Sequence, residues 1–106
     1  MQNDSLARAL ILLDGPMGTE LCARGVRTPL PGWSAHALDE APEVECSIHR
    51  DYADAGAEVH TANTFRTQAR LFPERWAELA RRAVELARSC VPPGARVAGS
   101  IAPLAD

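Results

Sequence analysis

Hydrophobic residues recur at helical spacing in two segments of the chain. Residues 73–90 predict a helix with one apolar stripe. The stripe is formed by Trp76, Leu79, Ala80, Ala83, Val84, Ala87 and Cys90. On the opposite face, Glu78 precedes Arg82 and Arg81 precedes Glu85 by four residues, which is typical of a solvated surface.

The second segment predicts a helix that begins near Pro42, because a proline at the first turn leaves no N–H unpaired. Its apolar face is formed by Val44, Ile48, Tyr52 and Ala55. Gly56 is expected to end this helix. Residues 17–24 predict a shorter helix that ends at Gly25.

Three short runs, rich in apolar or β-branched residues, predict strands. Residues 10–13 are interpreted as a buried strand, too short to show a period. Residues 58–63 and 96–102 predict the second and third strands. Before the first strand, a short helical turn through residue 9 is expected, capped by Asp4 or Ser5.

Strands that alternate with helices indicate an α/β fold with parallel strands. An open doubly wound sheet and a closed barrel share this order. The dinucleotide-binding form of the open sheet requires G-x-G-x-x-G, whereas only Gly15 and Gly18 follow the first strand. A (βα)₈ TIM barrel needs about 250 residues. On that interpretation the 106 residues hold the first three βα units and stop before the barrel closes.

Composition narrows the classes of function. Charged residues make up 24% of the chain and the net charge is -3, so a nucleic-acid partner is not expected. All 11 basic residues are arginine, which excludes a Schiff-base or P-loop lysine within this chain. No apolar run is long enough to cross a membrane. Together with the lack of a signal peptide, this predicts a cytoplasmic protein without a membrane partner.

The three cysteines form no metal or redox motif. Cys22, Cys46 and Cys90 are widely spaced and none lies in a C-x-x-C pair. They are interpreted as small apolar side chains on helices.

Five motifs give the chain a family resemblance: LLDGPMGTEL, GWSAHAL, HRDYADAGAEVHTANTFRT, ELARRAVELAR and RVAGSIAPL. In this order they resemble the opening part of the homocysteine S-methyltransferase family. The resemblance implies that residues 1–106 are a partial homocysteine-binding domain of a TIM barrel. It implies an enzyme that transfers a methyl group from a small donor to the homocysteine thiol, giving methionine.

The resemblance also implies a zinc ion held by cysteine thiolates on later strands, in motifs that include a Cys-Cys pair. No such pair occurs here, and the cysteines match none of those positions. No residue of this chain is therefore assigned as a metal ligand or as catalytic. The isolated chain is expected to be inactive.

Four residues are assigned to substrate binding. By resemblance, Asp14 holds the α-ammonium group of homocysteine; the alternative is that it caps the helix near Pro16. Gly15 offers a backbone N–H to the substrate carboxylate, a contact that Pro16 cannot make. Asn63 and Thr64 match the family's TNT motif and line the pocket, or else cap the turn after the strand.

Other polar residues are weaker candidates. His60 is interpreted as a core histidine, and His36 and His49 have no acidic or cysteine partner at ligand spacing. Trp33 resembles a family aromatic residue near the mouth of the site, and Ser100 ends the third strand.

Two alternatives to an enzyme part stay open. The chain is a truncated, non-catalytic product, active at most after pairing with a second chain, or it is an unrelated small α/β binding module. Open barrel edges predict marginal stability or self-association.

Overall fold

The computed structural model describes residues 10–103, so the helical turn predicted at Asp4 or Ser5 lies outside the described residues. The elements run in the order α1 (Gly18–Ala23), a 3₁₀ helix (Trp33–His36), α2 (Ala37–Glu40), α3 (Pro42–Asp54), β1 (Val59–Thr61), α4 (Trp76–Cys90) and β2 (Arg96–Ala98). The 3₁₀ helix and α2 were not predicted from the sequence.

The strands are parallel, which confirms the predicted α/β class. β1 pairs with β2, and His60 lies opposite Val97. On the other edge of β1, Leu13 forms a single parallel bridge to Val59, and the Asp14 N–H donates to the Val59 carbonyl at 3.1 Å. β1 is therefore central, and the first predicted strand is reduced to one bridge.

Residues 10–13 are exposed, so the prediction of a buried strand is wrong in its burial. The exposed fraction is 67% for Leu10 and 63% for Leu13. β1 covers one edge of this segment, and no strand within residues 10–103 covers the other. The side chains of a parallel strand are buried when both faces of the sheet are covered, and the exposure of residues 10–13 shows that this cover is incomplete here.

Helix boundaries follow the predicted start and stop residues closely. Pro42 is the first residue of α3. Gly25 and Gly56, which follow α1 and α3, have φ of 85° and 111°, backbone values that glycine adopts without a Cβ clash. α4 begins at Trp76, three residues later than predicted, and ends at Cys90 as predicted.

Two apolar clusters pack the helices against each other and the sheet. The first contains Leu38, Ala62, Leu79 and Ala83. The second contains Leu21, Ala37 and Ile48. Within the predicted stripe of α4, the buried members are Leu79, Ala83, Ala87 and Cys90, whereas Trp76 is 45% exposed.

A disulfide joins α3 to α4. Cys46 and Cys90 are bonded, with their Cα atoms 5.5 Å apart, so their interpretation as small apolar side chains is wrong. They lie 44 residues apart in sequence, and only the packing of the two helices brings them together. Cys22 carries a free, exposed thiol. Across residues 10–103, no helix combines the length and apolar character that spanning a bilayer requires.

Arginine side chains tie the surfaces of neighbouring helices. Arg24 pairs with Glu20 at 3.2 Å and with Asp51 of α3 at 2.9 Å. Arg82 of α4 pairs with Asp39 of α2 at 2.8 Å, not with the predicted Glu78. α2, which the sequence did not reveal, supplies this partner.

Candidate functional site

A cavity of about 400 Å³ opens at the carboxyl end of the parallel strands. Its walls come from residues 13–19, residues 33 and 34, residues 61–63 and 65, and Ser100. In α/β proteins, ligands bind at this end of a parallel sheet. The cavity includes Asp14, Gly15 and Asn63, three of the four predicted substrate-binding residues.

Asp14 is fixed against β1 by two hydrogen bonds. Its Oδ2 accepts from the Thr61 N–H at 2.8 Å, and its Oδ1 accepts from the Thr61 hydroxyl at 3.0 Å. No side chain within the described range caps α1, whose N-cap is Met17, so the alternative role of Asp14 as a helix cap is wrong. Each carboxylate oxygen keeps a further lone pair, and the group can accept hydrogen bonds from a cation.

Gly15 is required by a close aromatic neighbour. A Cβ at this position would lie 2.7 Å from the hydroxyl oxygen of Tyr52, well inside van der Waals contact. The Tyr52 hydroxyl donates to the carbonyl of Pro16 at 2.8 Å, which holds the ring against this turn. The glycine therefore shapes the cavity wall, in addition to any contact that its N–H makes with a ligand.

Asn63 is 4% exposed and its amide is engaged within the protein. Its Nδ2 donates to the Ser34 carbonyl at 2.8 Å and to Glu45 Oε1 at 2.9 Å. Its Oδ1 accepts from the Ser34 hydroxyl at 2.9 Å. Asn63 thus positions the cavity wall by joining the 3₁₀ helix to α3.

Thr64 lies beside the cavity and not in its wall. Its hydroxyl donates to the Ser100 carbonyl at 2.9 Å and accepts from the Ser100 N–H at 2.8 Å. Of this pair, Ser100 is the residue that lines the cavity. Thr64 joins the chain after β1 to the chain after β2.

Trp33 lies in the cavity wall, as the family resemblance implied. Its φ of 49° is in the left-handed region, which is uncommon for a bulky residue. The guanidinium of Arg66 stacks over the indole, 3.9 Å from the ring centroid. This cation–π contact stabilises the ring where it borders the cavity.

A buried polar cluster lies behind Asp14. His49 of α3 and His60 of β1 are both fully buried, with ring centroids 6.3 Å apart. Burial of His60 agrees with its interpretation as a core histidine. His49 has an acidic neighbour that the sequence analysis overlooked: its Nε2 lies 3.9 Å from Oε2 of Glu45, four residues earlier on α3.

Burial favours the neutral forms of His49 and Glu45. It lowers the pKa of His49, an effect that the Asp14 carboxylate opposes and His60 reinforces. It raises the pKa of Glu45 to about 7, although the hydrogen bond from Asn63 opposes the shift. The i, i+4 spacing of Glu45 and His49 is visible in the sequence. The approach of Asp14 and His60 depends on the sheet and is not.

Comparisons with known proteins agree on one family. A family model described as homocysteine S-methyltransferase matches residues 11–106. The homocysteine S-methyltransferase of Escherichia coli (strain K12) is 38% identical over 85 residues, which are 74% of this chain and 27% of that relative. Homocysteine S-methyltransferase YbgG of Bacillus subtilis (strain 168) is 38% identical over 82 residues, or 76% of this chain and 26% of the relative.

A similar fold is found in a solved structure that is also named as a homocysteine methyltransferase. It is the crystal structure of the homocysteine methyltransferase MmuM from Escherichia coli in its metallated form, with a TM-score of 0.79 and 33% sequence identity. The match covers 94% of this chain and 41% of that chain. The chain spans about a quarter of the length of the two curated relatives from Escherichia coli and Bacillus subtilis, 27% and 26% respectively.

Proposed function

Since this chain belongs to the homocysteine S-methyltransferase family, we propose that it forms the N-terminal portion of a zinc-dependent enzyme that methylates the thiol of homocysteine to give methionine. The observation that carries the proposal is the family match over residues 11–106, which contain the whole wall of the cavity around Asp14. The relatives named for this activity are about four times longer than the matched segment.

For the architecture, we propose that the parallel strands are the first part of a (βα)₈ barrel that further strands complete. Two features support this. The strand order places β1 between the Leu13 segment and β2, as in consecutive barrel units. The exposed apolar side chains of residues 10–13 would then be covered by barrel neighbours. In the chain alone, the same segment would favour self-association.

For the substrate, we propose that Asp14 accepts hydrogen bonds from the α-ammonium group of homocysteine. The two hydrogen bonds from Thr61 hold the carboxylate in place before the ligand arrives, which lowers the cost of binding. The substrate carboxylate lies toward the N–H of Gly15, and Pro16 has no N–H to add. Asn63 and Thr64 act on this cavity mainly by fixing its wall.

The cysteines of this chain do not fit the thiolate-held zinc of the proposed enzyme. Cys46 and Cys90 are consumed in a disulfide, and Cys22 is exposed on α1, with its Sγ 3.4 Å from the Thr28 hydroxyl. We therefore place the zinc ligands in the part of the enzyme outside this chain. The purified 106-residue chain is expected to form no methionine from homocysteine and a methyl donor.

Calorimetric titration with amino-acid ligands tests the anchoring role of Asp14. L-methionine is the suitable probe, because it shares the charged ends of homocysteine but has no thiol to exchange with the disulfide. 4-(Methylthio)butanoic acid is the comparison ligand, since it keeps the thioether chain and the carboxylate and lacks only the ammonium group. We expect the chain to bind L-methionine at least about tenfold more tightly than the ligand without the ammonium group. A hydrogen bond to a charged group usually contributes at least that much to affinity.

Two variants, each of which removes one negative charge, complete the test. Asp14→Asn should remove the preference for the free ammonium group. Asp54→Asn, an exposed aspartate at the end of α3, should leave it unchanged. If both variants retain the preference, or the unmodified chain binds both ligands equally, Asp14 is not the ammonium anchor.

A further inference from the structure

Three residues from separate elements converge behind the cavity. Asp14 follows the Leu13 bridge, His49 lies on α3 and His60 lies on β1. One carboxylate oxygen and one nitrogen from each ring all lie within 4.8 Å of one another. The sequence separates these residues widely, so the fold alone brings them together.

The two imidazole rings have polar atoms that lack partners. Both histidines are fully buried, and neither Nδ1 nor Nε2 of either ring has a hydrogen-bond partner among residues 10–103. Buried polar groups are normally paired, and leaving four ring nitrogens unpaired is costly. A ligand that accepts nitrogen lone pairs would satisfy one nitrogen of each ring.

The donor set selects a class of ligand. Two imidazole nitrogens and one carboxylate oxygen suit a divalent ion such as Zn²⁺, Co²⁺ or Ni²⁺, whereas Mg²⁺ and Ca²⁺ prefer oxygen ligands alone. The Asp14 carboxylate supplies a negative charge that offsets part of the charge of the ion. It is already oriented by Thr61, as metal-binding carboxylates commonly are by an outer shell.

Glu45 extends this outer shell. Its Oε1 accepts from Asn63 Nδ2, while its Oε2 has no partner within the described residues and lies 3.9 Å from His49 Nε2. A carboxylate beside the second nitrogen of a histidine ligand is a recurrent arrangement at metal sites. If His49 donates to Glu45 through Nε2, its Nδ1 remains for the ion.

We propose that Asp14, His49 and His60 bind one divalent transition-metal ion between the sheet and α3. This site goes beyond the proposed function and shares no residue with a thiolate-held zinc. It does share Asp14 with the proposed ammonium anchor, so the ion and the ammonium group compete for that carboxylate. Ligands on bonds of about 2.1 Å lie roughly 3.4 Å apart around a tetrahedral ion. The three donor atoms therefore draw closer together when the ion binds, and the fourth position is left for water or another ligand.

Cobalt titration tests the site without homocysteine. The 106-residue chain carrying Cys22→Ser, which removes the free thiol, is titrated with Co²⁺ in buffer without reductant, so that the disulfide persists. We expect one equivalent to bind with a visible d–d absorption band. Zn²⁺ should displace it, and elemental analysis after gel filtration should give one Zn²⁺ per chain.

Matched histidine variants locate the ion. His60→Leu and His49→Gln should each weaken Co²⁺ binding by at least about tenfold, since even an outer-shell change costs that much. His36→Gln, a change in a histidine outside the cluster, should bind as the parent does. Zn²⁺ should raise the melting temperature of the parent and of His36→Gln but not of His60→Leu. His60→Leu removes unpaired buried nitrogens, so it is expected to fold.

Two results would overturn the proposal. One is the absence of stoichiometric Co²⁺ binding by the parent. The other is equal binding by the parent and the folded His60→Leu variant, which would assign the ion to another part of the surface. The ammonium preference for L-methionine, measured in metal-free buffer, should persist in His60→Leu, so the metal site and the proposed function fail or stand separately.

Discussion

Helix α4 and the Leu10 to Leu13 segment are both strongly apolar, yet only the helix is buried. Leu79 of α4 is 1% exposed, whereas Leu12 is 55% exposed. The helix has one apolar stripe, and the surfaces that cover it belong to α3 and β2 of the same chain. The strand segment pairs with β1 along one edge, but its side chains project from the faces of the sheet and are left uncovered there. The apolar stripe of α4 is thus covered by other elements of this chain, whereas the apolar side chains of the strand segment are not.

The largest expected effect concerns the disulfide on the packed side. Replacing both Cys46 and Cys90 by alanine should lower the free energy of unfolding by about 4 kcal/mol, because the loop of 44 residues becomes unconstrained in the unfolded chain. Denaturant titration measures the loss. Cys22→Ala is the control and should change little, as this thiol is exposed. If the double replacement and Cys22→Ala lowered the free energy of unfolding equally, the disulfide between α3 and α4 would not be a source of stability.

A matched pair of leucine truncations tests the contrast directly. Leu79→Ala should cost about 2 to 5 kcal/mol, because it leaves a cavity in the core. Leu12→Ala should cost less than about 0.5 kcal/mol, as for an exposed substitution. Both values come from denaturant titration of the same chain. Comparable losses at the two positions would show that residues 10–13 are buried in solution, for instance between two copies of the chain.

A smaller effect is expected from pH at the surface of the packed region. The hydrogen bonds from Arg75 and then Arg82 lower the pKa of Asp39 from 3.8 to about 2, against the opposing effect of burial. A lowered pKa means that the folded state binds fewer protons than the unfolded state below pH 4. Its stabilisation is therefore complete above pH 4 and is lost as the pH falls toward 2.

The size of this pH effect is limited by solvent. The Asp39 side chain is 39% exposed, so we expect about 0.5 to 1 kcal/mol, the upper range for surface ion pairs. Thermal unfolding at pH 2, 3, 4 and 5 measures it, with Asp39→Asn as the comparison. The difference in stability between the two proteins should shrink as the pH falls. A constant difference would assign the role of Asp39 to packing and not to charge.

The sequence predicted the elements whose cause is local. Pro42 begins α3 and Gly56 follows its end because backbone geometry at these residues is decided by the residues themselves. The stripe of α4 was equally visible. The Cys46–Cys90 bond was missed because it depends on how two helices pack.

The sequence likewise predicted some residues of the candidate site and missed the contacts of others. Asp14 and Gly15 were placed by the motif that contains them, and the structure puts both in the cavity. Asn63 was assigned to the pocket, but its buried amide is engaged by Ser34 and Glu45, which no spacing rule connects with it. His49 was set aside for lack of a partner although Glu45 precedes it by four residues on α3; its other neighbours, Asp14 and His60, come from separate elements.

The reciprocal contact between Thr64 and Ser100 continues the sheet by one rung with a side chain in place of a main chain. Past Ala98, the N–H of Ser100 is held by a hydroxyl that spans the gap between two diverging segments. Hydrogen exchange should report this, with the Ser100 amide as protected as those of β2 and released by Thr64→Val, whose shape is nearly the same. The two segments are therefore joined beyond their last main-chain hydrogen bond, from the Ala62 N–H to the Ala98 carbonyl, by one side-chain hydroxyl at the edge of the cavity.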